Sequence, residues 1–274
     1  MGKLIYHYTD LQALTGIVKQ EEIYESDKKI LKNSLIFWGS RYDCMNDPQD
    51  FTFASKVVLP KILKSIEQRK DINEDIKENI ETYPYIVSFS ENRDNESMWK
   101  HYNAEVCLEL DSHYLSPWIK ENGIIKGFFG KCIYARENEI DDSFFESWKN
   151  SLQYIDNIPS MARHASVFIK RKAFDRENEW RLYMADEKLP KFMNNGNSYY
   201  VECPQEIKVK FVRNKDIVFY KEFRVNSKAL KGIIVNDTDW EHFQKVKKHI
   251  EILLESRGFP SKDIAIEQTD RYPL

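Results

Sequence analysis

Cysteine is scarce in this chain. Cys44, Cys107, Cys132 and Cys203 lie far apart, and no Cys-x-x-Cys occurs. That excludes a disulfide-stapled secreted scaffold and a zinc ribbon, and it points to reduced thiols in a cytoplasmic protein. The six histidines are equally scattered, with no His-Glu-x-x-His, so no metal site is expected. Glycine and proline number only 9 each among 274 residues, too few for a low-complexity or loop-dominated chain. No apolar run approaches the roughly 18–20 residues of a membrane helix, and the start enters a strand pattern at once instead of a signal-peptide core. Neither sign of charge dominates. Lys and Arg total 41 and Asp and Glu 44, a formal net charge of −3, so there is no global footprint for nucleic acid. The glycine-rich dinucleotide fingerprint, the P-loop and the Gly-x-Ser-x-Gly elbow are all missing.

What is present is a globular composition, 42% hydrophobic and 31% charged, with 14% aromatics. Residues 3–8 alternate as a strand, with Ile5 and His7 on one face and Leu4, Tyr6 and Tyr8 on the other. Thr9-x-x-Gln12 reads as a capping box opening a helix whose stripe is Leu11, Leu14, Ile17 and Val18. Leu35–Ser40 is a second short strand. Asn46-Asp47-Pro48 is a turn and helix start, continued by Leu59, Ile62, Leu63 and Ile66, then by Ile72, Ile76 and Ile80. Tyr85–Ser90 is a strand, a short helix carries Met98, Trp99 and Tyr102, and Val106, Leu108 and Leu110 mark another strand. Residues 140–174 read as mainly helical. Strands follow at Glu179–Ala185, Tyr199–Glu202 and Ile207–Val212, the last paired with Asp216–Phe223. Trp240, Phe243, Val246, Ile250 and Leu253 define an amphipathic helix stopped by Gly258 and Pro260. Asp263–Glu267 is a final strand. Strands and helices mix without βαβ alternation, so the chain is expected to be one α+β domain over residues 1–274.

Three constellations carry possible chemistry. Tyr6-His7-Tyr8-Thr9 sits at a strand-to-helix junction, where a histidine is either a satisfied structural residue or a partner for ligand hydroxyls and phosphate. Ser88 and Ser90 project to one side of a strand, and Trp99 and Tyr102 share a helix face. Together these are core aromatics, or a hydroxyl-lined wall and a platform for a planar ring. In Glu177–Tyr183, Glu179, Arg181 and Tyr183 face one way while Trp180, Leu182 and Met184 form core. The Glu179–Arg181 pair is a structural ion pair or a rigid site for sugar hydroxyls. The basic stretch Lys170-Arg171-Lys172 with Arg176 reads as cations at a helix C-terminus.

The order Tyr-His-Tyr-Thr, Asn-Asp-Pro, Ser-Phe-Ser, Met-Trp-x-x-Tyr and Glu-x-Glu-Trp-Arg resembles the bacterial DUF2971 family over residues 4 to 185. Through it the chain is remotely similar to ADP-ribosyltransferase-like domains. The resemblance implies two small sheets of mixed short strands around a cleft that takes NAD as substrate. It implies that His7 holds the adenosine-side ribose, that Tyr8, Trp99 or Tyr102 packs on nicotinamide, and that Glu179 is catalytic at the nicotinamide ribose. Thr9, Ser88, Ser90 and Arg181 complete the expected cofactor-binding set. The implied reaction breaks the nicotinamide glycosidic bond through an oxocarbenium-like state, in a toxin or antiphage setting, with a protein or nucleic acid as acceptor. The alternative is a non-catalytic module binding a nucleotide or ADP-ribose. A defence-system interaction protein whose aromatics are all core is the third reading.

Overall fold

The computed structural model describes residues 2–25, 28–45, 48–58, 60–61, 64, 84–115, 128–141, 143–144, 165–184, 206–212 and 215–269. Strand β1 (Leu4–Thr9) alternates as its sequence does. Ile5 enters the main core, while Tyr6 and Tyr8 are buried on the opposite face. Helix α1 (Leu11–Ile17) buries Leu14 and Ile17. Its cap is Asp10, whose carboxylate accepts from the Ala13 amide at 2.5 Å. Thr9, expected in that role, instead ends β1 opposite Val106. The strand ladder claims the threonine, and an aspartate one residue on caps at least as well.

α1 passes directly into β2 (Val18–Glu25), which pairs antiparallel with β3 (Lys28–Arg41). Only Leu35–Ser40 of that 14-residue strand is apolar enough to read from sequence. α2 (Pro48–Phe53) starts at its proline and continues as one π-helical turn over Ala54–Val58. β4 (Tyr85–Ser90), α3 (Glu96–Tyr102), β5 (Val106–Asp111) and β9 (Glu179–Met184) fall where the periodicities put them. Between them lie β6 (Phe128–Lys131), β7 (Ile133–Ala135) and β8 (Ile169–Arg171). β10 (Lys208–Val212) and β11 (Lys215–Asn226) form the expected antiparallel pair. β12 (Leu230–Val235), α4 (Trp240–Ser256) and β13 (Ala265–Gln268) follow.

The stretch expected to be helical over 140–174 lies largely outside the described residues. Where it is described, its end is otherwise: β8 pairs in parallel with β7, and residues Lys172–Glu177 form a 3-10 segment. The readings at Leu59, Ile62, Leu63 and Ile66, at Ile72–Ile80, at Asn46-Asp47 and at Tyr199–Glu202 also lie outside the described residues.

In place of the two small sheets expected, the described residues form one mixed sheet of 11 strands and a separate two-stranded one. The large sheet runs β10-β11-β3-β4-β1-β5-β12-β13, with β2 on β3, β9 on β4 and β6 on β9. The joint is β3: it holds β11 along Ser34–Ser40 and reaches β4 only at Ser40 and Arg41. One face of the sheet carries the main core, including Ile5, Phe37, Val87, Phe89, Leu182 and Phe223. α4 adds Phe243, Val246, Ile250 and Leu254 to it. Trp240, expected on that stripe, is 62% exposed, because it occupies the first helical position and its ring tilts against Phe243 only from outside. The helix stops at Gly258, whose φ of +72° suits a residue without a side chain.

Candidate functional site

β4 has two hydrogen-bonding edges. β9 covers one from Tyr85 to Ser90. The other is divided: β3 pairs with Tyr85 and Ile86, and β1 pairs with Ser90. β3 and β1 therefore splay apart beside Val87, Ser88 and Phe89. His7 enters that gap, its Nδ1 2.9 Å from the Ser88 carbonyl oxygen. A carbonyl can only accept, so Nδ1 carries the hydrogen and Nε2 is a bare acceptor. Burial pulls the His7 pKa below its ordinary value, which keeps the ring neutral. The same ring packs edge-on against Phe37 and tilted on Phe89, so this histidine also replaces a missing ladder bond and plugs the core beneath the split.

A cavity of about 220 Å³ opens at this place, lined among others by Tyr6, His7, Tyr8, Thr9, Ser88, Tyr102, Glu179 and Arg181. Its inner wall is a buried cluster of five charged groups. Glu179 accepts from Arg181 Nε at 2.8 Å on one oxygen and from Lys170 Nζ at 2.7 Å on the other. Lys170 also reaches Glu177 at 2.6 Å and Asp50 at 3.1 Å. Arg181 binds Asp50 at 2.5 Å and the Val167 carbonyl oxygen at 2.6 Å. Register explains the assembly: Ser88 pairs with Arg181 and Ser90 with Glu179, placing these side chains on one face. β8 brings Lys170 and α2 brings Asp50 to it.

The carboxylates do not titrate alike. Burial alone would raise Glu179, yet the Arg181 and Lys170 charges outweigh it and hold its pKa at about 2. Glu177 is pushed above the usual carboxylate range by burial and by the neighbouring Glu179 and Asp50 charges, against Lys170. Burial disfavours the Lys170 ammonium, but Glu179, Asp50 and Glu177 together keep it charged. With every member ionised, three carboxylates face two cations, and the wall carries one net negative charge. Two of its polar atoms, Asp50 Oδ1 and Ser88 Oγ, are buried without a hydrogen-bond partner.

The expected site residues divide. Glu179, His7, Tyr8, Thr9, Ser88, Tyr102 and Arg181 share the cavity. Tyr102 is 36% exposed, and burial with the Glu179 and Glu177 charges raises its pKa, so its hydroxyl stays protonated. Tyr8 shares its hydroxyl with the loop after β4: it donates to the Asn92 carbonyl oxygen at 2.7 Å and accepts from the Asn95 amide at 2.9 Å. Trp99 is not among the lining residues. It is buried with Tyr6 and Tyr8, stacks edge-on against Tyr8, and donates to Asp94 at 2.7 Å. Ser90 is buried beneath the site, donating to the Glu177 carbonyl oxygen at 2.7 Å and accepting from the Asn92 amide at 3.0 Å.

Lys170 and Asp50 are the members that sequence reading missed. Lys170 is read as a helix-terminal cation but lies on a strand, 4% exposed. The one signal was its place directly after the apolar run Val167-Phe168-Ile169. Among the described residues no group of His, Cys, Asp and Glu is arranged to hold a metal ion. No helix there is long and apolar enough to cross a membrane. Among the described residues Cys44, Cys107 and Cys132 are not joined in disulfides.

Residues 98–182 match the model of the family described as "Protein of unknown function (DUF2971)", which bears out the DUF2971 resemblance over that segment. No curated protein and no solved structure matches the chain.

Proposed function

We propose that the cavity binds NAD and that the protein is an ADP-ribosyltransferase-like enzyme cleaving the nicotinamide glycosidic bond. The observation that carries this reading is Glu179 on the inner wall, fixed between Arg181 and Lys170 and held ionised with a pKa of about 2. As the bond breaks, positive charge grows on the ribose. A fixed carboxylate in a water-poor wall stabilises that charge more than it stabilises the ground state. Each Glu179 oxygen accepts one bond from a cation, leaving a second lone pair for a ligand hydroxyl. Tyr102 or Tyr8, both on the cavity wall, packs against nicotinamide; Trp99, in the core, does not compete for that role. The acceptor of the ADP-ribosyl group is a protein, a nucleic acid or water.

A second reading has its own observation. Glu179 is 2% exposed and bridged on both oxygens, as a structural ion pair would be, and the cavity then holds a nucleotide or ADP-ribose without turnover. Nicotinamide release from NAD separates the two. The enzyme reading expects release by the wild type and a fall of on the order of a hundredfold or more in Glu179→Gln, with NAD affinity little changed. Binding without release in either protein establishes the module. Unchanged release by a folded Glu179→Gln removes Glu179 from the chemistry.

A further inference from the structure

Trp38 lines the cavity but takes no part in the acidic cluster. It lies on β3 between Phe37 and Gly39, and strand alternation sends those inward and Trp38 outward. The indole is 40% exposed. Trp38 pairs with Glu222 and Ser40 with Tyr220, so Tyr220 is its diagonal neighbour, with ring centroids 5.3 Å apart. The ammonium of Lys210 stands 5.1 Å from the Trp38 centroid and 5.6 Å from that of Tyr220. Gly16 leaves room for the indole edge, since a Cβ there would come within 3.3 Å of it. Two rings and one cation are thus mounted on paired strands at the rim.

The inner wall cannot serve a phosphate. Its cations, Lys170 and Arg181, are already directed at the carboxylates of Asp50, Glu177 and Glu179. The enclosed volume of about 220 Å³ also falls short of the roughly 300–1,000 Å³ of whole small-molecule sites. A ligand of dinucleotide size enters with one end and leaves its other end at the rim.

We propose that Trp38 and Tyr220, with Lys210, form a second subsite that stacks the purine base of a nucleotide and pairs with its phosphate. This rests on reading the cavity as a nucleotide site. It adds the orientation: sugar and cationic ring inward at Glu179, base and phosphate outward over the β3–β11 ladder.

The test uses the full chain, with ADP and nicotinamide mononucleotide as probes in titration calorimetry. The subsite requires wild-type binding of ADP, weakened roughly tenfold or more in Trp38→Ala and largely retained in Trp38→Phe. Affinity for nicotinamide mononucleotide, which lacks the purine, moves less than twofold. Lys210→Gln weakens ADP and flattens its salt dependence while leaving adenosine unchanged. Equal ADP affinity in wild type and Trp38→Ala overturns the proposal, as does a wild type that does not bind ADP. An oligonucleotide bound through Trp38 where ADP is not gives the rings to a nucleic-acid strand and overturns the nucleotide assignment. ADP binding through Trp38 in a protein that releases no nicotinamide upholds the subsite while the enzyme reading fails. Nicotinamide release with ADP binding indifferent to Trp38 does the reverse.

Discussion

Replacing Glu179 by glutamine should destabilise the protein by an amount that two independent arguments set at the same size. The carboxylate is 2% exposed and accepts from Arg181 and Lys170. Glutamine keeps one acceptor oxygen but turns an amide donor toward the other cation, and breaking a buried pair in this way costs roughly 3–5 kcal/mol. Independently, the Glu179 pKa falls from 4.5 to about 2 on folding. At about 1.36 kcal/mol per pH unit, that is about 3 kcal/mol of linkage. The folded value lies below the unfolded one, so this stability is fully present above about pH 4.5 and is lost as pH falls toward about 2. Urea denaturation of both proteins at pH 7 should show the difference, and it should shrink steadily between pH 4.5 and pH 2. In a thermal scan the loss corresponds to a shift on the order of 10 °C. A gap under about 1 kcal/mol at pH 7, or one that does not change with acid, would refute the cluster's energetics. The result also calibrates the activity assay. A domain with a typical stability of about 5–15 kcal/mol stays largely folded after such a loss, so a hundredfold fall in nicotinamide release could not be blamed on unfolding.

Glu177→Gln should behave in the opposite way. Its pKa is raised on folding by burial and by Glu179, so its ionised form opposes folding once pH exceeds the unfolded value. The variant should be as stable as the wild type or more so at pH 7 in the same urea assay, and a clear loss there would contradict the assignment. The ionised Glu179 on the wall should also prefer oxidised over reduced NAD, since only the former carries a cationic nicotinamide. A difference of about 1–2 kcal/mol, roughly tenfold in affinity, is expected by calorimetry at low salt, and equal affinities would remove the electrostatic argument.

Most of what surrounds the site is legible in the sequence. β1, β4, α3, β5 and β9 alternate or repeat with clear periods, and each recurs in the structure within a residue or so. Local pattern carries that much because each of these elements buries one face. Two things were not legible. One is the full extent of β3: its start, Lys28–Asn33, carries no clear alternation and pairs only with β2, and its end runs past the apolar Leu35–Ser40 to Arg41, where it reaches β4. The other is the charged cluster. Glu179 and Arg181 stand two apart in one strand, but Lys170 and Asp50 come from β8 and α2. The apolar run Val167-Phe168-Ile169 is the one local sign that Lys170 is buried, and Asp50 has none.

The cluster is also an argument about purpose. Five charged side chains packed together give up hydration that their mutual attraction only partly returns, and well-packed hydrophobic residues of similar volume are often as stabilising or more so. Stability alone does not account for Asp50, Lys170, Glu177, Glu179 and Arg181 being where they are. Their position does offer a reason: all five line the cavity that opens where β3 and β1 part. There they leave Asp50 Oδ1 and Ser88 Oγ, both buried, without partners. Orphaned buried polar atoms cost free energy, and a ligand that supplies the missing bonds returns it. A strained arrangement of this kind, built on rigid strands and open at one end, is what a site for a hydroxyl-rich, cationic ligand requires.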